Sequence, residues 1–374
     1  MLGRGRGMRF LIALVVVGLL GGCAAGATPA PPAATPIVTA VPSMAVAPPT
    51  VAVPTPTVAA TPTPTTGARP TRSPVPTIGL PADDGARIVG VTTVDARTLD
   101  LTIVSPALGT FAPDHGPLGS TVTVRLLLPS RFDAQPDARW PVLYLLCGAG
   151  GDHTDWTKNS DVETATAPTD LLVVMPDAGG GWYSDWWNGG KGGPPEWETF
   201  HLVELRQLLE RNWHAGDKRV IAGFSMGGYG AMEYAVRQPG MFLAAASFSG
   251  VLDPAAEPAR GWGIGAPAAM WGTLSAQAGV WKAHDPTDNV AALKGTELFV
   301  AYGNGQPGHL DASGAMPDPQ ESEIATESAA FVHHLAALAI PATVYAYGNG
   351  THNWPYWASD LHRWLPLALK ALGG

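Results

Sequence analysis

The sequence has little cysteine, little charge and no long apolar run. Two cysteines in 374 residues exclude a disulfide-stapled fold, so the core must supply the stability. Only 14% of the residues are charged, and acids outnumber bases by 31 to 22. A formal net charge of −9 leaves no basic face for phosphates and argues against a nucleic-acid partner. No apolar run reaches the roughly 18–20 residues of a membrane span. Neither a His-x-x-x-His nor a paired-cysteine spacing occurs, so no metal and no cofactor is expected. No internal repeat is found. A hydrophobic content of 46% still excludes disorder of the whole chain.

Glycine and proline are abundant, at 45 and 36 residues. The prolines cluster. Residues 24–80 hold 14 of them with 12 threonines, and their only charges are Arg69 and Arg72. Such a stretch cannot bury a core and reads as an extended, semi-rigid linker. Before it, Arg4, Arg6 and Arg9 precede an apolar run from Phe10 to Leu20, the pattern of a signal peptide. Leu20-Gly21-Gly22-Cys23 then resembles a bacterial lipobox, which implies cleavage before Cys23 and a lipid on its sulfur. The expectation is a signal peptide over 1–22, a lipid-anchored linker over 23–80 and one globular domain over 81–374. The protein would be an extracytoplasmic bacterial membrane lipoprotein.

Residues 98–104 and 120–128 alternate or run apolar as strands do. Short apolar runs at 142–146, 171–175, 219–222, 242–248, 298–302 and 342–347 suit strands buried on both faces of a parallel sheet. Helical stretches at 198–212, 229–237, 322–338 and 358–372 lie between or after them. The alternation predicts an α/β layer architecture, with ligands beyond the carboxyl ends of the strands.

Gly223-Phe224-Ser225-Met226-Gly227 lies between a predicted strand and a predicted helix, where a nucleophile elbow belongs. The bland reading is a glycine-rich turn with a capping serine. A serine hydroxyl needs a base. His352, in the loop before the last helix, is the best candidate by chain order, with His153 second. His333 and His334 fall on a helix, and His309 is a loop residue. Asp311, Asp318, Glu321 and Asp253 are all admissible as the acid that orients the base. The Met226 N–H and the Ala149 N–H, the latter in Cys147-Gly148-Ala149-Gly150-Gly151, are the expected oxyanion donors. Cys147 reads as a small buried hydrophobe. Trp156, Trp182, Trp186, Trp187, Trp354 and Trp357 fall on or beside the loops at the catalytic end. Of these Trp156, Trp182, Trp187 and Trp354, with His153, are candidate substrate contacts; the alternative is that they anchor loops by packing.

These segments together resemble the esterase D and antigen 85 mycolyltransferase family over roughly residues 120–372. The matching stretches are 145–156, 174–187 (VMPDAGGGWYSDWW), 197–200, 223–228, 302–307 (YGNGQP) and 350–357 (GTHNWPYW). The resemblance implies an α/β-hydrolase fold, a mostly parallel central sheet with helices on both faces. It implies Ser225 as nucleophile, His352 as base, and Ala149 and Met226 as oxyanion donors. It selects Glu321 as the acid, because the family's glutamate stands ten residues before a helical phenylalanine, as Glu321 does before Phe331. The implied activity is carboxylic-ester hydrolysis or acyl transfer. Mycolyltransferases contact trehalose through an Asp and an Arg whose places are taken here by Cys147 and Gly150, so trehalose recognition is not expected. A catalytically silent surface binding protein of the same fold is the competing reading.

Overall fold

The computed structural model of the chain describes residues 79–109, 121–256 and 269–374. The expected signal peptide, Cys23 and nearly all of the expected linker lie outside them. Among the described residues the sheet has nine strands: β1 (Arg87–Thr93), β2 (Thr98–Val104), β3 (Thr121–Leu127), β4 (Trp140–Leu146), β5 (Leu172–Pro176), β6 (Ala215–Phe224), β7 (Ala244–Phe248), β8 (Glu297–Tyr302) and β9 (Thr343–Ala346). Their order is β1-β2-β3-β5-β4-β6-β7-β8-β9. The first four in that order pair antiparallel and β5 through β9 pair parallel. This is the α/β-hydrolase arrangement that the sequence implied. Burial follows pairing. β5 and β7 are buried at every residue, as strands covered on both faces must be. β2 alternates buried and half-buried residues along most of its length. The edge strands β1 and β9 are largely exposed.

The helices in chain order are α1 (Asp155–Asn159), α2 (Val162–Thr166), α3 (Trp197–Thr199), α4 (Arg206–Asn212), α5 (Met226–Arg237), α6 (Leu274–Ala283), α7 (Pro319–Ala337) and α8 (Trp354–Leu372). One π-turn, Phe200–Leu205, joins α3 to α4. The sequence predicts a single helix there. A π-turn widens the helix locally, and here His201 and Glu204 are both buried in it. Three helices start earlier than apolar periodicity suggests. α5 begins on glycines that helix propensity disfavours, because it runs straight out of the elbow. α7 and α8 open with caps and early prolines: Asp318 and Asn353 accept from backbone N–H groups, and proline is tolerated in the first turn.

Residues 80–83 are clasped to α4 and its C-cap side. Leu80 and Asn212 exchange hydrogen bonds of 2.7 and 2.9 Å, and Asp83 and Gln207 do so at 2.8 and 3.1 Å. Beneath this clasp Glu204 accepts from Ser105 Oγ at 2.5 Å and from Ala107 N at 2.8 Å. Burial raises the Glu204 pKa, and the Asp84 carboxyl beside it adds to the rise. Asp285 is raised mainly by burial. Asp360 on α8 is pushed up to about 8 by burial, with Arg363 opposing and the charge of Glu321 reinforcing it.

A carboxyl whose folded pKa lies above its unfolded value binds more protons in the native state. Its stabilisation is full below the unfolded value and is lost as pH rises through the folded one. The melting temperature should therefore rise as pH falls from about 8 toward about 5. Glu204→Gln should flatten part of that slope. A melting temperature that falls over the same interval would contradict these assignments.

Candidate active site

Ser225 sits between β6 and α5 with φ 54° and ψ −124°, a left-handed backbone that non-glycine residues rarely adopt. Neighbouring glycines make the turn possible. A Cβ on Gly223 would stand 2.2 Å from Gly227 O, and one on Gly227 would stand 2.5 Å from Leu146 O. The start of α5 is thus pressed onto the end of β4. The Ser225 N–H donates to Phe248 O at 3.0 Å, and the residue is 8% exposed. Met226 is the first residue of α5, where N–H groups have no intrahelical acceptor and the helix dipole favours negative charge.

The loop after β4 lies against the elbow. A Cβ on Gly148 would stand 3.3 Å from Ser225 Cβ, and Ala149 beyond it is exposed. Cys147 is buried, and burial pushes its thiol up to about 12, so it stays protonated and unreactive near neutrality.

His352 follows β9. Its Nδ1 is 2.8 Å from Glu321 Oε2, and its backbone N–H donates to Asp318 Oδ2 at 2.9 Å. Its Nε2 is buried with no hydrogen-bond partner among the described residues. Trp357 links it to the elbow. The His352 ring meets Trp357 edge-on at 4.9 Å, and Trp357 stacks on Phe224, the residue before Ser225, at 4.4 Å.

Glu321, fully buried in the first turn of α7, is held on all sides. Its Oε1 accepts from Ser249 Oγ at 2.8 Å, from Gly303 N at 2.6 Å and from Tyr347 Oη at 3.4 Å. The other candidate acids are engaged elsewhere. Asp311 accepts from Gly308 N and Tyr356 Oη, both at 2.8 Å, and from Thr351 Oγ1. Asp318 caps α7. Asp253 belongs with Asp285, where burial raises it.

The candidate substrate contacts divide. Trp156 is 1% exposed, donates from Nε1 to Leu146 O at 3.2 Å and packs edge-on against Phe224; it is core. Trp182 is also buried, between Tyr229 and Trp271. Trp187 and Trp354 are half-buried, and Trp354 lies 4.5 Å from the Phe224 ring. His153 is fastened to Asp177, which accepts from its backbone N–H at 2.6 Å and pairs with its Nδ1 at 2.9 Å. Burial works against a charged His153, but the hydrogen bond and charge of Asp177 prevail and its pKa is raised. A depression of about 400 Å³ opens beside His352, lined among others by Thr351, Asn353, Asp311 and Met316. Sequence reasoning passed over Ser249 and Tyr347. Their only signal was position, since each lies just after the carboxyl end of a strand.

Asp318 carries two loads, the α7 cap and the His352 N–H. Asp318→Ala should cost about 1–2 kcal/mol in urea unfolding. It should also speed amide exchange at 351–353. Loss of stability with unchanged exchange there would show that the tie to His352 is idle.

The profile of the esterase family, described as "Putative esterase", matches residues 116–367. The chain is 34% identical over 252 residues to the diacylglycerol acyltransferase/mycolyltransferase Ag85B of Mycobacterium intracellulare, covering 62% of this chain and 76% of that one. It is 34% identical over 255 residues to Ag85A of Mycobacterium leprae, covering 63% and 77%. Among solved structures it resembles Mycobacterium tuberculosis MPT51 (FbpC1), with TM-score 0.56 and 25% identity over 70% of this chain and 98% of that one. An S-formylglutathione hydrolase from Agrobacterium tumefaciens shares the fold, with TM-score 0.61 at 17% identity over 76% and 99%. The chain belongs to the esterase family of α/β-hydrolases, with antigen 85 acyltransferases among its relatives, and is an esterase or acyl hydrolase.

Proposed function

We propose that the chain is an exported, membrane-tethered serine carboxylic-ester hydrolase acting through Ser225, His352 and Glu321. The observation that carries this reading is the His352 ring. One nitrogen is fixed to buried Glu321 at 2.8 Å, and the other is buried without a partner in the loop that Trp357 packs toward the elbow. A base must be oriented on one side and free on the other.

Ser225 Oγ bonds to the ester carbonyl carbon while its proton passes to His352 Nε2. The negative oxygen so formed is held by the Ala149 and Met226 N–H groups. The C–O bond to the alcohol then breaks, and the alcohol leaves with the proton from His352. Water adds to the acyl-Ser225 carbonyl and gives its own proton to His352. The Ser225 ester bond breaks, Ser225 regains that proton, and the acid is released. Glu321 keeps Nδ1 protonated and stabilises the charged ring throughout. The Ser249, Gly303 and Tyr347 donors on its other oxygen fix its direction.

Release to an alcohol instead of water is the second reading, favoured by the acyltransferase names of the relatives. Cys147 and Gly150, standing where mycolyltransferases carry the Asp and Arg that contact trehalose, favour hydrolysis over transfer to trehalose. Tethering through a lipid on Cys23 rests on Leu20-Gly21-Gly22-Cys23. An alkyne fatty acid fed to cells should label the wild-type protein and not Cys23→Ala; no labelling of wild type, or equal labelling of the variant, would refute a lipid anchor at that residue.

A fluorophosphonate should label wild type and not Ser225→Ala, with a panel of p-nitrophenyl esters turned over only by the former. No labelling of wild type would favour a silent binding protein. Glu321→Gln should lower kcat by about 10³- to 10⁴-fold. Asp311→Asn, whose carboxylate bonds Gly308, Thr351 and Tyr356 rather than the base, should cost about tenfold or less. The reverse ranking would refute Glu321 as the acid.

A further inference from the structure

Beside the site, Trp182 and Tyr183 are consecutive left-handed residues, with φ 51° and 50°. Non-glycine side chains rarely occupy that region, and strain of this kind persists only where the surroundings over-determine it. The Tyr183 ring is fully buried. Gly230 on α5 admits it, since a Cβ there would stand 2.4 Å from a ring carbon. The phenol donates to the carbonyl of Cys147 at 2.8 Å. Burial, and then the neighbouring Cys147 thiol, hold that phenol far above its ordinary pKa, so it remains a donor.

The Cys147 carbonyl begins the turn that carries Ala149. The next carbonyl, Gly148 O, accepts from Gly151 N–H at 3.2 Å. A trans peptide directs its N–H opposite to its C=O. Fixing Gly148 O therefore aims the Ala149 N–H, and fixing Cys147 O sets the peptide plane before it. The same Cys147 carbonyl is a seat for α5: a Cβ on Gly227 would stand 2.6 Å from it, and Gly227 follows Met226. Both oxyanion donors are thus referred to one carbonyl.

We propose that Tyr183 is a positioning residue for the oxyanion hole, its hydroxyl holding the Cys147 carbonyl against which the Ala149 and Met226 amides are set. This gives a task to the Trp182-Tyr183-Ser184-Asp185 segment, which the triad leaves unexplained. Asp185 supports the segment from behind by accepting from Thr199 N at 3.0 Å and from Thr199 Oγ1 at 2.7 Å. The inference rests on the serine-esterase reading.

The test is Tyr183→Phe, which removes the donor and keeps the ring. Its kcat should fall by about 10- to 100-fold, less than the loss of an oxyanion donor itself, with KM within about twofold. A trifluoromethyl ketone forms a tetrahedral Ser225 adduct that bears the oxyanion. Its affinity should fall by the same factor as kcat/KM, while the matching methyl ketone binds as to wild type. Tyr234→Phe is the control. It removes a buried phenol that bonds His201 Nδ1 at 2.7 Å and Trp197 O at 3.3 Å and should leave kcat unchanged. If Tyr183→Phe does not fold, fluorotyrosines placed at 183 should shift kcat in step with phenol acidity.

Wild-type kcat and ketone affinity in Tyr183→Phe, an equal kcat loss in Tyr234→Phe, or no trend across the fluorotyrosines would overturn the proposal. Failure of fluorophosphonate to label wild type would instead remove the esterase reading beneath it.

Discussion

The hydrogen bond between Glu321 and His352 is the constraint around which the catalytic end is organised. It joins a buried carboxylate at the start of α7 to a loop imidazole after β9, 31 residues along the chain. Each partner is held separately. Glu321 is fixed by the α7 start and by donors from Ser249, Gly303 and Tyr347. His352 is fixed by Asp318, whose other oxygen caps the helix that carries Glu321. One aspartate therefore ties the proposed base to the helix of its proposed acid. Trp357 carries the arrangement across to Phe224 and the elbow. Holding charge and direction in advance is what lets such a site act on the transition state without reorganising.

Much of this was legible in the sequence because it is written in local rules. Six short apolar runs and two alternating or apolar segments marked eight of the nine strands among the described residues, and the Gly-x-Ser-x-Gly turn marked the elbow. β1 was missed because its edge position leaves it half exposed and without a clean period. The π-turn was missed because widening a helix by one residue leaves the apolar pattern nearly unchanged. Glu321 could be selected from Asp311, Asp318 and Asp253 only through family resemblance, since chain order alone admits all four. The tryptophans show the limit most clearly. Position on the loops at the strand ends places Trp156 and Trp182 near the site, but only three-dimensional packing shows that both are core. Ser249, Tyr347 and Tyr183 act through contacts between distant segments, which no local pattern encodes.

Stability and chemistry pull in opposite directions with pH. Buried carboxyls such as Glu204, Asp285 and Asp360 favour the protonated, mildly acidic side. A histidine base works only when neutral. The molecule carries these carboxyls within one domain, Asp360 on the same helix that follows the His352 loop.

The central claim is that Ser225 is acylated during turnover. Acid quenching within the first turnover of a p-nitrophenyl butyrate reaction, followed by peptide mass analysis, tests it directly. The account predicts one butyryl group, on the peptide containing Ser225, appearing before steady-state product and vanishing as substrate is exhausted. A butyryl group on another residue, or product release with no acyl-protein at any time, would contradict it.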